Sequence, residues 1–315
     1  MIKSIRLFSL GLALFAMALP ALSQDNSGSS QSDSARFVNA DWHLQKVAGG
    51  TYFRQYAFVD TVAPLFKSNQ VISILALEKG ALTGEQKNKE YKYGRRVVDI
   101  VTAGKLATVS YMAKSNEAIA SVNGSFFDMD MTKDASVTYF RVDNKELAAN
   151  RVEKQGDEYV IKFMQTAAVA TKGGRLFIVK ADASDPDWVN KVDAEDMLCT
   201  GPLLIYNGEK MPLEEISFNT KRHNRTGVAA LADGTLLLIV ADGRSKEASG
   251  LTMKEFQQIG SWLGAVDMVN MDGGGSSTMY VVNRGVVNYP SDNKTFDHNG
   301  ERPVANAIII SFRKN

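Results

Sequence analysis

Short apolar runs, separated by turn residues, predict that strands make up most of the chain. Runs with β-branched residues predict strands at residues 71–77, 118–122, 137–142, 176–179, 203–206, 227–231, 236–240, 266–270 and 304–312. Asn207-Gly208 and Asp233-Gly234 follow the runs that end at residues 206 and 231, and both dipeptides are typical of hairpin turns.

Fewer segments have helical character. Thr252 and Glu255 have the spacing of a capping box, which predicts a helix from there to about residue 263. Residues 106–118 contain fewer β-branched residues and predict a second helix. Strands therefore dominate, and helices lie among them. The pattern predicts an α+β fold with a mixed or antiparallel β-sheet core and several helices in a single domain.

The N-terminal residues have a different character from the rest. Lys3 and Arg6 precede an apolar run, and Ala21-Leu22-Ser23 offers small residues for cleavage, so residues 1–23 predict a secretory signal peptide. Its apolar run is too short to span a bilayer comfortably, so no stable membrane insertion is expected. Residues 24–36 are rich in Ser, Asp, Asn and Gln and predict a disordered leader, leaving 37–315 as the domain. We expect the protein to be exported, either periplasmic or extracellular.

Charge and cysteine content narrow the function classes. The formal net charge is +1, and it becomes −1 without the two basic residues of the first 23. A near-neutral chain lacks the basic surface that a nucleic-acid partner requires. Cys199 is the only cysteine, so no intramolecular disulfide can form. A hydrophobic fraction of 44% suffices to build a core instead.

Polar clusters stand at the ends of several predicted strands. They are Asn123-Gly-Ser-Phe-Phe-Asp128, His223-Asn-Arg-Thr226, Ala241-Asp-Gly-Arg244 and the loop that begins at Asp272. Neighbouring strand ends converge on one edge of a sheet, where binding sites are commonly built. The sequence therefore predicts that these four clusters form one composite pocket.

The loop Asp272-Gly-Gly-Gly-Ser-Ser277 has three interpretations. Successive glycines can turn their N–H groups towards an anion, with the hydroxyls of Ser276 and Ser277 added. Asp272 can itself act as an acid, base or nucleophile. The third interpretation is a tight turn in which Asp272 accepts a local backbone hydrogen bond. A nucleotide-binding P-loop is excluded because its lysine is missing.

Charged residues near the same strand ends extend the candidate site. Arg225 and Arg244 offer planar forks for phosphate or carboxylate, although either one can equally be an ordinary surface arginine. Glycosidic cleavage typically uses two acids, and Asp128, Asp242 and Asp272 are the nearest carboxylates; Asp242 can equally be a turn residue. The three histidines lack metal-like spacing, so no zinc site is expected.

Six motifs, taken in order, resemble those of the phosphodiester glycosidase family. They are NGSFFD, CTGPLLI, NRTGVA, ADGR, NMDGGGSSTM and ERPVANAI, and the resemblance covers roughly residues 100–313. It implies an enzyme that removes a sugar linked through its anomeric oxygen to a phosphodiester, in a family associated with exopolysaccharide metabolism. It implies site residues at Asn123, Arg225, Thr226, Asp242, Arg244, Asp272, Gly273, Gly274, Gly275, Glu301 and Arg302.

Residues and resemblance together predict a hydrolase that cleaves the anomeric C–O bond of a sugar-phosphate or polysaccharide substrate. Arg225 and Arg244 would bind the phosphate, Asp272 would act at the anomeric carbon, and Asp242 or Asp128 would be its partner. No cofactor is expected to be required. Two alternatives stay open: a phosphodiesterase that breaks P–O with Mg²⁺ or Ca²⁺ held by the three aspartates, and a non-catalytic glycan-binding protein of the envelope.

Overall fold

The computed structural model describes residues 30–59, 65–83, 95–129, 136–156 and 158–313. Its described residues form three main sheets and a two-stranded ribbon, and the paired strands within them are antiparallel. The predicted signal peptide, residues 1–23, lies outside the described residues.

The largest sheet has eight strands and carries most of the candidate site. In spatial order its strands are β1 (His43–Ala48), β2 (Thr51–Phe58), β3 (Gln70–Leu77), β16 (Leu236–Ala241), β15 (Arg225–Leu231), β17 (Ala265–Asn270), β13 (Leu203–Tyr206) and β14 (Glu209–Lys210).

Two five-stranded sheets cover one face of the large sheet. The second sheet contains β11 (Arg175–Lys180), β10 (Ala167–Lys172), β12 (Asp196–Thr200), β6 (Phe140–Val142) and β7 (Lys145–Ala148). The third contains β19 (Gly285–Val286), β18 (Met279–Val281), β5 (Ala120–Asn123), β20 (Ala307–Phe312) and β4 (Arg96–Val101). The ribbon pairs β8 (Glu153–Gln155) with β9 (Glu158–Val160).

Six helices lie among these strands in the described part of the chain. They are α1 (Ser30–Val38), α2 (Lys79–Thr83), α3 (Val109–Ser115), α4 (Trp188–Lys191), α5 (Ser217–Thr220) and α6 (Met253–Trp262). The longest, α6, begins at Thr252, where both hydrogen bonds of the predicted capping box are present. Over the residues that the structure describes, no helix is long and apolar enough to cross a membrane.

The central strands of the large sheet are buried on both faces, because side chains alternate along a strand. On β16, Leu238 and Val240 enter a core shared with the second and third sheets, which contribute residues such as Val169 and Ile308. Ile239, between them, packs on the opposite face with α6. Burial on both faces explains why this strand is an unbroken apolar run. A core common to three sheets agrees with the predicted single domain.

The predicted hairpins and most predicted strands are confirmed. Asn207 and Gly208 both have positive φ between β13 and β14, and residues 232–235 connect β15 to β16. Three predicted elements are shorter than expected: the helix of residues 106–118 is reduced to α3, and the strands of 137–142 and 304–312 are reduced to β6 and β20.

The structure describes residues 30–36 of the predicted leader. Residues 30–36 belong to α1, whose Phe37 is buried. The Phe37 ring lies 5.7 Å from Phe58 and 5.5 Å from Trp262.

Gly227 allows α6 to pack directly on the large sheet. A Cβ atom built at this position of β15 would lie 2.8 Å from two ring carbons of Phe256 and 3.2 Å from the Val269 carbonyl oxygen. The ring therefore fills the space that any other side chain would occupy. The glycine in the motif NRTGVA is a packing requirement of the helix against the sheet.

We predict that Gly227→Ala lowers the free energy of unfolding by about 1–3 kcal/mol, because the added methyl group overpacks this contact. Urea unfolding followed by circular dichroism measures the change. Ala230→Ser, on the same strand and half-buried near the hairpin, is the control and should change stability by less than about 0.5 kcal/mol. Equal stability of Gly227→Ala and the parent would show that the Phe256 ring shifts freely.

Candidate functional site

Backbone hydrogen bonds bring the predicted polar clusters together. The N–H of Met271 donates to the Thr226 carbonyl at 2.8 Å, and the N–H of Gly274 donates to the Asn224 carbonyl at 2.9 Å. The Asp272 N–H donates to the Gly124 carbonyl at 3.1 Å. Three of the four clusters therefore meet through the main chain at the end of β17. The fourth reaches the same place through the side chain of Arg244.

Asn123, Thr226 and Ser277 form a buried layer beneath the loop. The Asn123 side chain donates to the Asp272 carbonyl at 2.8 Å and accepts from the Thr226 hydroxyl at 2.8 Å. The Thr226 hydroxyl also lies 3.1 Å from the Ser277 hydroxyl. All three residues are fully buried. They were expected to touch the substrate, but their polar groups hold the Asp272 loop in place instead.

The three glycines of the loop allow other groups to come very close. A Cβ atom at Gly273 would lie 2.7 Å from the Asn224 carbonyl oxygen. One at Gly274, whose φ is +61°, would lie 2.6 Å from Nη2 of Arg244. One at Gly275 would lie 2.6 Å from Cζ of Arg302. A side chain at Gly273 would clash with the main chain, and side chains at Gly274 and Gly275 would displace the two guanidinium groups, so glycine allows this close arrangement.

The N–H groups of the loop are largely used within the protein. Gly273 donates to Oδ1 of Asp272 at 2.8 Å, and Gly274 donates to Asn224. Ser276 and Ser277 donate to the carbonyls of Gly273 and Gly274 in a short 3₁₀ turn. These N–H groups are therefore not turned towards an anion, as one of the three interpretations of the loop expected. Positive charge at this loop comes from the two arginines.

Arg244 and Arg302 place two guanidinium groups on successive glycines. Arg244, in a left-handed conformation with φ +63°, is exposed. Arg302 donates through Nε at 2.7 Å and through Nη2 at 2.5 Å to Oδ1 of Asp292. Partial burial lowers the pKa of Arg244, the charge of Arg302 lowers it further, and Asp292 and Asp272 oppose this shift. Two close cations beside open solvent suit an anionic ligand.

Asp272 lies between these charges at the start of the loop. Desolvation by the surrounding groups raises the pKa of its carboxyl to about 6, although the residue keeps some accessible surface. Ser276, the Gly273 N–H, Arg302 and Arg244 each lower this pKa and so favour the carboxylate. A carboxyl group that titrates near neutral pH beside two arginines is a candidate for acid, base or nucleophilic chemistry.

Arg225 has a different environment from the one predicted. Its guanidinium is buried and donates to the carbonyls of Leu251, Phe218 and Lys221 at 2.9, 2.7 and 2.9 Å. Thr226, the next residue on β15, faces the Asp272 loop, so strand alternation turns Arg225 to the opposite face. Arg225 therefore points away from the Asp272 loop, whereas Arg302, also a predicted site residue, lies against Gly275.

Asp242 is completely buried at the end of β16. Its Oδ1 accepts from the Asn288 side chain at 2.8 Å and from the Tyr289 N–H at 2.9 Å. Burial raises the pKa of its carboxyl to about 7 against the effect of these two donors. No part of Asp242 reaches the surface. Its hydrogen bonds connect the end of β16 to the 288–302 segment, and its carboxyl group does not face a substrate.

Asp128 and Glu301, two further predicted site residues, have surroundings that differ from those of Asp242. Asp128 is exposed, next to residues 130–135, which lie outside the described part of the chain. Glu301 accepts at 2.9 Å from the N–H of Ser110 and at 2.5 Å from its hydroxyl, near the beginning of α3. A carboxylate there stabilises the helix terminus. Glu301 thus points to α3, while the guanidinium of the next residue, Arg302, reaches Gly275.

The 288–302 segment supplies groups that the sequence analysis missed. Asn288 donates to the Ser277 carbonyl at 3.1 Å, and Ser291 donates to the Asn224 side chain at 3.1 Å. Asp292 holds Arg302. No strand or helix pattern marks this segment. The only sequence signal is its concentration of turn-forming and polar residues shortly before the ERPVANAI motif.

The three aspartates proposed as metal ligands are not brought together, since Asp128 is exposed and Asp242 is enclosed. In the part of the chain that the structure describes, no group of three or more His, Cys, Asp or Glu side chains is arranged to hold a metal ion.

The chain is similar to several known proteins. Over 91 residues the chain is 33% identical to the SPβ prophage-derived uncharacterized protein YomE of Bacillus subtilis; the match covers 29% of this chain and only 13% of that protein. The catalytic domain of zebrafish N-acetylglucosamine-1-phosphodiester alpha-N-acetylglucosaminidase, auto-inhibited by pro-peptide, has a similar fold. Its TM-score is 0.60 at 14% identity, covering 86% of this chain and 88% of that chain.

A hypothetical protein from Synechocystis also has a similar fold, with a TM-score of 0.58 at 13% identity, covering 86% of this chain and 64% of that one. At these identities the structures show a shared fold. The family model for phosphodiester glycosidases matches residues 116–311, which is more than half of the sequence. The chain therefore belongs to the phosphodiester glycosidase family.

Proposed function

We propose that the protein is a hydrolase that cleaves the anomeric C–O bond of a sugar-1-phosphodiester. The observation that carries this proposal is the placement of two guanidinium groups on Gly274 and Gly275, beside the carboxyl group of Asp272. A phosphodiester carries one negative charge, which the arginines can bind. The sugar attached to it would then bring its anomeric carbon near the carboxylate.

The phosphate group would bind between Arg244 and Arg302. Arg244 is exposed, and Asp292 fixes the plane of the Arg302 guanidinium through two hydrogen bonds to one oxygen. Such prior orientation lowers the entropy lost on binding. When the anomeric C–O bond breaks, its electron pair goes to the phosphate oxygen. The two cations stabilise the doubly charged phosphomonoester that results.

The Asp272 carboxylate would act at the anomeric carbon. Its negative charge stabilises the positive charge that develops on the sugar ring in an oxocarbenium-like transition state. Water then supplies the new oxygen on that carbon and releases a proton, so the products are free sugar and phosphomonoester. A phosphate leaving group bound by two arginines has little need of a proton, which is consistent with Asp242 being buried and Asp128 lying at the exposed surface.

The proposal also includes the class of substrate and the location of the protein. The zebrafish relative is named for an N-acetylglucosamine-1-phosphodiester, and for this chain we infer only the wider class of sugar phosphodiesters. The predicted signal peptide in residues 1–23 supports an exported protein that acts on an envelope or extracellular glycoconjugate.

The arginines provide a direct test. We predict that Arg244→Ala and Arg302→Ala each lower kcat/KM for a sugar-1-phosphodiester by about 30- to 1000-fold, or about 2–4 kcal/mol, because each removes charge from the departing phosphate. Both variants should remain folded, since neither guanidinium is fully buried. Steady-state kinetics with thermal melting measures both effects. Arg284→Ala, an exposed arginine in the β18–β19 turn, is the matched control.

Arg225→Met tests whether Arg225 contributes to the stability of the fold and not to phosphate binding. It leaves three main-chain carbonyls without their donor, so we expect a loss of stability of about 3 kcal/mol or more.

If Arg244→Ala and Arg302→Ala both kept near-normal kcat/KM, the two arginines would have no part in the reaction.

Asp272 predicts a characteristic pH dependence. Because the carboxylate is the active form and burial raises its pKa to about 6, kcat/KM should be constant above that pH and fall tenfold per pH unit below it. Asp272→Asn should lower kcat at least about 100-fold and abolish this acid limb in the residual activity. Asp267→Asn, on the same strand and bonded to the Asn207 N–H, is the control. An Asp272→Asn enzyme within a few-fold of the parent would return Asp272 to the role of a turn residue.

A further inference from the structure

His298 belongs to a stack of three aromatic rings close to the proposed site. The Tyr289 ring lies 4.0 Å from Phe296 at an interplanar angle of 9°, and 4.5 Å from His298 at 28°. One ring face accommodates one stacked ring, so Tyr289 lies between the other two. Within the described residues, none of the three rings belongs to a hydrophobic core cluster. Core packing therefore does not account for them.

The imidazole of His298 is held in one orientation. Its Nδ1 lies 2.7 Å from the Asn288 carbonyl oxygen. A carbonyl oxygen can only accept, so Nδ1 carries the hydrogen, and in the neutral imidazole Nε2 is an acceptor. The residue is exposed. Stacking on Tyr289 fixes the ring, while its exposed side keeps a polar atom for a ligand.

The segment that carries His298 is attached to the Asp272 loop at several points. Asn288, which binds His298 through its carbonyl, donates from its side chain to the Ser277 carbonyl at 3.1 Å. Ser291 donates to the Asn224 side chain, and Asn224 accepts from Gly274. Arg302 and Asp292 belong to the same segment. Asn288 therefore connects the ring stack directly to the Asp272 loop, and Ser291 adds a second connection through Asn224.

We propose that His298 recognises the sugar of the substrate, with Nε2 accepting a hydrogen bond from a sugar hydroxyl and the exposed ring packing on the pyranose. This inference rests on the proposed function. A pyranose offers a face of C–H groups that fits an aromatic surface, and its hydroxyl groups distinguish one sugar from its epimers. A site that bonds a particular hydroxyl discriminates against analogues that lack it or misplace it. Because the ring is already fixed, little further ordering is required when the sugar binds.

A purely structural role makes different predictions. If the stack only stiffens the 288–302 segment, a change at His298 would loosen Arg302 as well, and binding of phosphate would weaken together with binding of every sugar. If His298 contacts the sugar, phosphate binding should be preserved and the loss should depend on the sugar. His298→Phe is suited to this distinction because it keeps an aromatic ring but removes Nε2; it also removes the Nδ1 bond to Asn288, and the phosphate affinity shows whether that loss loosens the segment.

The experiment compares the parent, His298→Phe, His298→Ala and the control Arg284→Ala. Substrates are methyl phosphodiesters of glucose, galactose, mannose and N-acetylglucosamine, and inorganic phosphate is titrated by calorimetry. For the preferred sugar we expect His298→Phe to raise KM about tenfold and to reduce discrimination among the sugars about tenfold. His298→Ala should raise KM further. Phosphate affinity should stay within about twofold of the parent in both variants.

Unchanged KM and sugar preference in both variants would overturn the proposal, as would a parallel loss of phosphate affinity. Failure of the proposed function is recognised separately, as absence of turnover by the parent. In that case saturation-transfer NMR with the four methyl glycosides still tests His298. Selective binding that weakens in His298→Phe supports the proposal, and equal binding by the two proteins, or no binding by the parent, contradicts it.

Discussion

The site depends on the close approach of four groups to three consecutive glycines. The Asn224 main chain, two guanidinium groups and the Asp292 carboxylate all occupy space where side chains at residues 273–275 would otherwise lie. The glycines lose much conformational freedom on folding, and the buried strand β17 and the Asn123 side chain hold them in place. Two arginines and a carboxyl group can therefore stand side by side at a fixed point of the protein.

This arrangement places like charges together at a cost in stability. The pKa of Arg244 is lowered by partial burial and by Arg302, and the pKa of Asp272 is raised by desolvation. Functional sites commonly contain such perturbed groups, because a ligand of opposite charge relieves the repulsion. An anionic phosphodiester would do so between Arg244 and Arg302. The buried hydrogen bonds of Asn123 and Asp242 hold the Asp272 loop and the 288–302 segment, which carry these charged groups.

The sequence predicted the parts of the fold that local signals determine. The dipeptides Asn207-Gly208 and Asp233-Gly234 specify hairpins, and Thr252 with Glu255 specifies the start of α6, because these signals act over a few residues. The convergence of the polar clusters followed from strand ends meeting at one edge. The family resemblance, confirmed over residues 116–311, rested on the order of the motifs.

The direction of individual side chains was not predictable in the same way. Arg225 and Thr226 are neighbours in one motif, but β15 turns them to opposite faces, and a shift of one residue in strand register would reverse their roles. Glu301 and Arg302 diverge similarly, one to the beginning of α3 and the other to Gly275. Asp292 and His298 bond to Arg302 and Asn288, ten positions away, across a segment that has no strand or helix pattern. Only the tertiary structure brings those partners together.

In the proposed reaction the site breaks a bond to carbon and not a bond to phosphorus. Both reactions release the same two products, so product identity alone cannot distinguish them. Hydrolysis of a sugar-1-phosphodiester in ¹⁸O-labelled water, followed by mass spectrometry of both products, locates the new oxygen. An oxocarbenium-like pathway at Asp272 predicts the label in the anomeric hydroxyl of the sugar and none in the phosphomonoester. Label in the phosphate would instead indicate attack at phosphorus and would contradict this account.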